Sequence, residues 1–162
     1  MKTFFISDTH FNHVNIIKYS KRPFSSVEEM NEAMITNWNN AVTNEDRVIH
    51  VGDFAMGPKR LIPGFVERLN GYKILVKGDN DMTKKRMRTM AFQEVVDYWF
   101  EDKILAVHDP KEFTTKHKHL FNKCEIAVYG HLHTWMFLDE YFPIRLINAC
   151  VEHNNYTPFQ IT

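Results

Sequence analysis

Apolar residues along this chain fall into short, nearly unbroken runs separated by longer polar stretches. Six runs stand out: residues 2–7 (KTFFIS), 47–52 (RVIHVG), 72–77 (YKILVK), 103–108 (KILAVH), 125–130 (EIAVYG) and 144–150 (IRLINAC). Runs this brief and this continuous predict strands covered on both faces. A seventh strand is predicted over 94–100 (EVVDYWF) and a last short one over 159–162 (FQIT). Between the first strands the period changes. Val27, Met30, Met34, Trp38 and Ala41 recur at three- to four-residue spacing behind a Ser26-x-x-Glu29 capping box, which predicts a helix. Residues 59–71 predict a second helix stopped by Gly71, although Pro63-Gly64 works against it. Residues 82–91 predict a third, short and basic.

The first half therefore reads strand–helix–strand–helix–strand, and the second half is strand-rich. That order predicts an α/β layered domain with a mixed sheet or two stacked sheets. With no repeat, low-complexity segment or linker, residues 1–162 are expected to form one domain.

Composition narrows the function classes. A formal net charge of zero argues against a nucleic-acid partner without barring one, and it leaves room for a small phosphorylated ligand held by local charge. Two cysteines, Cys124 and Cys150, cannot build a disulfide framework, so a reducing, cytoplasmic setting is expected. The start, MKTFFISDTHF, lacks a secretory h-region, and no run approaches the ~20 apolar residues of a membrane span, so no membrane partner is expected. Oligomeric state is left open. Nine histidines are unusual for this length, and their positions carry the argument.

Five predicted strands finish on Asp, Asn or His. The endings are Asp8-Thr9-His10, Gly52-Asp53, Gly78-Asp79-Asn80-Asp81, His108-Asp109 and Gly130-His131-Leu132-His133. One such ending is an ordinary turn or cap. Five together point to a single place, because ligands in layered α/β folds bind beyond the carboxyl ends of strands. Carboxylate and imidazole donors suit Mn, Fe, Zn or Ni. A pair of such ions about 3.5–4 Å apart, joined by one carboxylate, can activate water and clamp a phosphoryl oxygen. An EF-hand over residues 79–85 fails because Lys84 stands where the loop needs glycine. A P-loop fails because no Gly-Lys-Ser/Thr is present.

The ordered set Asp8-x-His10, Gly52-Asp53, Gly78-x-x-Asp81, His108 and Gly130-His131-x-His133 resembles the calcineurin-like metallophosphoesterase family. SDTHFNHVNII and INACVEHNNYTPFQI are similar to small phage and bacterial members, which implies the host cytoplasm if the gene is a phage's. The resemblance implies a four-layer α/β/β/α sandwich of two mixed sheets with flanking helices. It implies that Asp8, His10 and His133 hold one metal and that Asp79, His108 and His131 hold a second. Asp53 would bridge them, and Asp81 and Asp109 would orient the ligand histidines. Two divalent ions are expected, manganese foremost, with Ni, Fe, Zn or Mg as alternatives. A metal-bridging hydroxide would attack phosphorus in line.

One turn departs from the family pattern. Gly-Asn-His-Asp or Gly-Asn-His-Glu is usual where this chain has Gly78-Asp79-Asn80-Asp81. Asp79 can replace the amide ligand. Asn80 replaces a histidine that contacts phosphate or protonates the leaving group, and an amide cannot act as a general acid near pH 7. Relatives without that histidine suggest a phosphodiester substrate, nucleotide-like or otherwise small. Asn80, Asp53 and His13 are the expected catalytic residues, and Asn12, His13 and Asn80 the expected substrate contacts. His50 is read as structural, and His117, His119 and His153 as surface residues. The basic groups around Lys84–Arg88 and Lys111–Lys118 are read as solvated faces. The rival reading is a catalytically weakened, metal-dependent phosphate- or nucleotide-binding protein.

Overall fold

The computed structural model describes residues 1–136 and 144–161. The chain opens with β1 (Thr3–Ile6), α1 (Ile16–Tyr19), α2 (Val27–Ala41) and β2 (Arg47–His50). A 3-10 turn (Lys59–Leu61) runs into α3 (Ile62–Arg68), followed by β3 (Tyr72–Val76), α4 (Lys84–Met87) and β4 (Glu94–Val96). β5 (Trp99–Glu101), β6 (Ile104–Val107), a 3-10 turn (Pro110–Phe113), α5 (Lys118–Phe121), β7 (Ile126–Tyr129) and β8 (Arg145–Asn148) complete the layers, and a 3-10 turn (Val151–His153) follows.

The α2 helix forms as its pattern predicts. Ser26 Oγ accepts from the Glu29 N–H at 3.1 Å, and the Glu29 carboxylate accepts from the Ser25 N–H at 2.7 Å. Val27, Met30, Met34 and Trp38 are buried on one stripe. The predicted 59–71 helix is shorter. Pro63 lies in the first turn of α3, where its missing N–H costs nothing. The helix ends at Arg68, ahead of Gly71, whose φ of +90° serves the turn into β3.

The predicted strand over 94–100 is two strands in different sheets. β4 pairs in parallel with β3, whereas β5 pairs antiparallel with β6. The break falls at Asp97 and Tyr98, both exposed, where Asp97 is paired with Lys84. A charge in mid-run keeps this point at the surface, and the chain crosses from one sheet to the other there. The predicted last strand is reduced to one antiparallel bridge between Phe159 and Phe5, and Thr162 lies outside the described residues.

Each sheet has four strands, in the order β1-β2-β3-β4 and β5-β6-β7-β8. The first is parallel throughout, and the second combines the antiparallel β5 with parallel β6, β7 and β8. Alternation along the strands sorts the cores. Phe4, Val48 and Leu75 pack with residues of α2 and α3, while Phe5, Ile49 and Ile74 meet Ala106 and Val128 between the sheets. Leu105, Val107, Ala127 and Tyr129 pack outward against Phe113 and Phe121. This is the expected four-layer α/β/β/α arrangement. Parallel register brings the carboxyl ends of β1, β2 and β3 level, with Ile6 beside His50 and His50 beside Leu75. Among the described residues no helix is long and apolar enough to cross a membrane.

Candidate metal centre

Three groups of donors gather beyond these strand ends: Asp8, His10 and His133; Asp79, His108 and His131; and Asp8, Asp53 and His108. Within each group the donor atoms lie within 4.8 Å of one another. Asp8 Oδ1 stands 3.7 Å from His10 Nε2 and 3.6 Å from His133 Nε2. On the other side Asp79 Oδ2 stands 3.4 Å from His131 Nδ1. Asp53 lies between the two, with Oδ1 3.5 Å from His108 Nε2 and Oδ2 3.6 Å from His10 Nε2. Two donors each about 2.1 Å from one ion at a tetrahedral angle stand about 3.4 Å apart, so these spacings suit shared ions.

The backbone reaches this arrangement through strained residues. Asp8 (φ 56°), His10 (φ 47°), Asp53 (φ 56°), His131 (φ 69°) and His133 (φ 48°) all occupy the left-handed region. Such residues cost roughly 1–3 kcal/mol each and persist where their surroundings hold them. Glycines let the loops nest. Gly52 has φ +94°, and a Cβ there would stand 2.8 Å from Gly78 Cα and strike the His108 ring. A Cβ on Gly130 would run into Ser7 Oγ and Asp8 Oδ2.

The fit to metal can be judged from atoms left without partners. Asp8 Oδ2 accepts from Ser7 Oγ at 2.5 Å, His131 N at 2.9 Å and Cys150 Sγ at 3.3 Å, while Oδ1 is buried with none. The His108 Nδ1–H donates to Val51 O at 2.8 Å, which aims Nε2, buried and without a hydrogen-bond partner, at the centre. His10 Nε2 is also buried without a partner. Unmet buried polar atoms each cost about 1–3 kcal/mol, and these converge on one another. A divalent cation satisfies all three, so the residues fit the metal the family pattern implies.

Electrostatics agree. Burial works to lower the His108 pKa, but the carboxylates of Asp53 and Asp8 outweigh it and raise it to about 10. Burial works to raise the Asp53 carboxyl, but His108 outweighs it and holds it at about 2. The centre draws positive charge.

The residues around the donors differ from expectation at several points. Asp81 does not orient a histidine. Its carboxylate accepts from the N–H groups of Gly78, Asp53 and Phe54 at 2.8, 2.9 and 3.0 Å, and so fixes the backbone that presents Asp53. Asp109 caps the 3-10 turn after β6 by accepting from Lys111 N at 2.9 Å. Its neighbour His108 is oriented by the Val51 carbonyl instead. Asn80 donates to Asp53 from both its backbone N–H and its amide, at 2.8 and 2.6 Å. The His13 ring lies 5.4 Å from that of His10 and so borders the centre, whereas Asn12, in a left-handed turn (φ 62°), directs its amide nitrogen to Gly57. His50 is buried away from it and bonds to Thr9 Oγ1 at 2.9 Å, and burial pushes its pKa down to about 3. His117 is buried against Tyr98 rather than exposed.

Two functional side chains carried no sequence signal. Buried Arg22 donates to the carbonyls of Asp8 at 2.7 Å and Thr9 at 2.8 Å, and to Glu152 Oε1 at 2.8 Å. Glu152 Oε1 in turn lies 3.1 Å from His133 Nδ1. The pair ties the β1 loop, the 3-10 turn at Val151–His153 and the His133 ring together.

Residues 1–149 match the family model described as the calcineurin-like phosphoesterase superfamily domain. The chain is 36% identical over 166 residues to an uncharacterised protein of Methanocaldococcus jannaschii, covering 99% of this chain and 87% of that one. A solved protein of unknown function from Aquifex aeolicus is 30% identical with a TM-score of 0.74, covering 97% of this chain and 94% of the other. An archaeal phosphodiesterase shares the fold at 21% identity and a TM-score of 0.51, covering 91% and 82%.

Proposed function

From the premise that the chain belongs to the calcineurin-like phosphoesterase superfamily, a family of metal-binding hydrolases, we propose a dinuclear metal-dependent phosphoesterase that favours small or nucleotide-like phosphodiesters. The observation that carries this reading is the place of Asp53, one oxygen facing His108 and the other facing His10, between two donor sets.

Asp8, His10 and His133 would hold one ion, and Asp79, His108 and His131 the other, with Asp53 shared. When bound, such ions supply the Lewis acidity that polarises a phosphoryl oxygen and makes water a competent nucleophile near neutral pH. The chain's own part is to hold and to orient. Asp81 fixes the Asp53 backbone, Asn80 fastens its carboxylate, Glu152 steadies His133, and Arg22 clamps the carbonyls of Asp8 and Thr9. Asn80 donates hydrogen bonds but carries no titratable proton. This position therefore gives no general-acid help, which is worth roughly 10²–10⁴ in rate, and that favours substrates whose leaving groups depart without it.

The test is hydrolysis of bis-p-nitrophenyl phosphate and p-nitrophenyl phosphate after loading with Mn, Ni, Zn or Mg. Metal-dependent turnover, faster on the diester, is the expected result. Bound metal with no turnover of either ester would replace this reading with the binding protein.

A further inference from the structure

A cleft opens beside the metal centre on the Asn80 side. Its floor is apolar: Ala55, Met56, Ile62, Met82 and Met87 line it, and Asn80 forms part of its wall. Asn80 also reaches the Asp53 carboxylate at 2.6 Å, so this one residue borders both cleft and centre. A second amide stands at the rim, where Asn12 Nδ2 lies 2.8 Å from the place a Cβ on Gly57 would take. The cavity volume is about 160 Å³. An apolar cavity of about 150 Å³ takes one benzene ring.

Three methionines in one small cleft suit a flat aromatic guest, since thioethers are polarisable and make favourable contacts with ring edges. Charge is arranged to match. Lys59, itself part of the lining, and Arg60 lie in the 3-10 turn on one lip, and α4, which supplies Met87, carries Lys84, Lys85 and Arg86. Lys84 is paired with Asp97, while Lys59, Arg60, Lys85 and Arg86 are exposed. In a chain of zero net charge, Lys59 thus sets a cation on the wall of an apolar slot that adjoins the candidate metal centre.

We infer that this cleft is a nucleobase subsite: it receives a single-ring base while the phosphate of the same nucleotide lies at the metal centre. The inference rests on the phosphoesterase reading for the position of the phosphate and adds the substrate class, a pyrimidine-type nucleoside phosphodiester. Amides at the rim, Asn12 and Asn80, supply hydrogen bonds to the base edge or the sugar. The methionine floor supplies contact area.

Calorimetric titration of the Mn-loaded protein with uridine 5′-monophosphate and with ribose 5-phosphate tests this directly, because the second carries an anomeric hydroxyl where the first carries the base. Uridine 5′-monophosphate is expected to bind at least tenfold more tightly. Two variants fill the cleft, Met82→Trp at a partly exposed position and Ala55→Leu at its floor, and in each the advantage of the base is expected to fall below threefold. Equal affinity in the wild-type protein, binding of neither compound, or an advantage that survives both substitutions would overturn the inference. Hydrolysis of diesters without preference for the base would reject the subsite alone. A tenfold preference in a protein that hydrolyses nothing would reject the phosphoesterase reading and keep the subsite.

Discussion

Asn80 spans the carboxylate of Asp53, with its backbone N–H 2.8 Å from Oδ1 and its amide nitrogen 2.6 Å from Oδ2. The same two oxygens face His108 and His10. The residue standing where the family pattern has a histidine is therefore an amide that fastens the carboxylate lying between His108 and His10. That relationship separates two roles a histidine would combine, holding the site and delivering a proton.

Asn80→His restores a titratable proton at this position. Turnover of phenyl phosphate should rise tenfold or more, and turnover of p-nitrophenyl phosphate by less, since the better leaving group needs less help. Comparison of kcat for the two esters in the wild type and the variant measures this. Unchanged kcat on both would count against the account of the departure.

Glu152→Gln leaves His133 with a weaker acceptor on Nδ1. Burial pushes the Glu152 carboxyl up, but His133 and Arg22 outweigh it and hold it below the usual range, so the native group is the anion. Losing a partner of this kind typically costs 10–100-fold in metal affinity. Mn titration of the variant should show a loss in that range. Native affinity would mean that the histidine is held by other contacts.

Arg22→Met removes the hydrogen bonds to the carbonyls of Asp8 and Thr9 and both of those to Glu152 Oε1. It leaves the Glu152 carboxylate with His133 as its remaining partner and two buried carbonyls without a donor, a change that costs about 1–3 kcal/mol. Urea unfolding of metal-free protein measures the loss apart from any effect on ions. A change below about 1 kcal/mol would contradict the clamp.

Asp46 gives the fold a pH dependence away from the centre. Its carboxylate accepts from Lys2 N at 2.8 Å, Thr43 N at 3.0 Å and Thr43 Oγ1 at 2.7 Å. The Lys2 and Thr43 backbone donors lower its pKa from 3.8 to about 2. A carboxyl lowered in the folded state contributes stability that is fully present above its unfolded value and is lost as pH falls. Its share should therefore be constant above pH 4 and fade between about pH 4 and pH 2. Asp46→Asn should unfold more readily at pH 7 and lose less stability than the wild type across that acid window, as read from denaturant midpoints at each pH. Parallel pH curves for the two proteins would contradict this.

The gathering of these side chains was legible in the sequence because each lies at or just beyond the end of an apolar run, so strand end and side-chain position are one signal. Asp81 was legible as a site residue but not in its task, since a carboxylate that binds three backbone N–H groups looks the same on paper as one that binds a histidine. Arg22 and Glu152 were not legible. They meet across 130 positions, and each sits in a polar stretch that reads as an ordinary loop. The run 94–100 misled for a related reason. Its apolar pattern is continuous except at Asp97, and the crossing between sheets depends on which neighbour each half can pair with. The methionine cleft was invisible, since Met56, Met82 and Met87 come together only through the packing of a loop against α4.

The central claim is that Asp53 joins two metal sites. The most direct measurement is the metal content of the Mn-saturated protein by native mass spectrometry, for the wild type and Asp53→Asn, with diester turnover recorded on the same samples. Two ions per chain in the wild type, with loss of both tight binding and turnover in the variant, is the result this account predicts. Two ions retained by Asp53→Asn, or one ion at most in an active wild type, would contradict it.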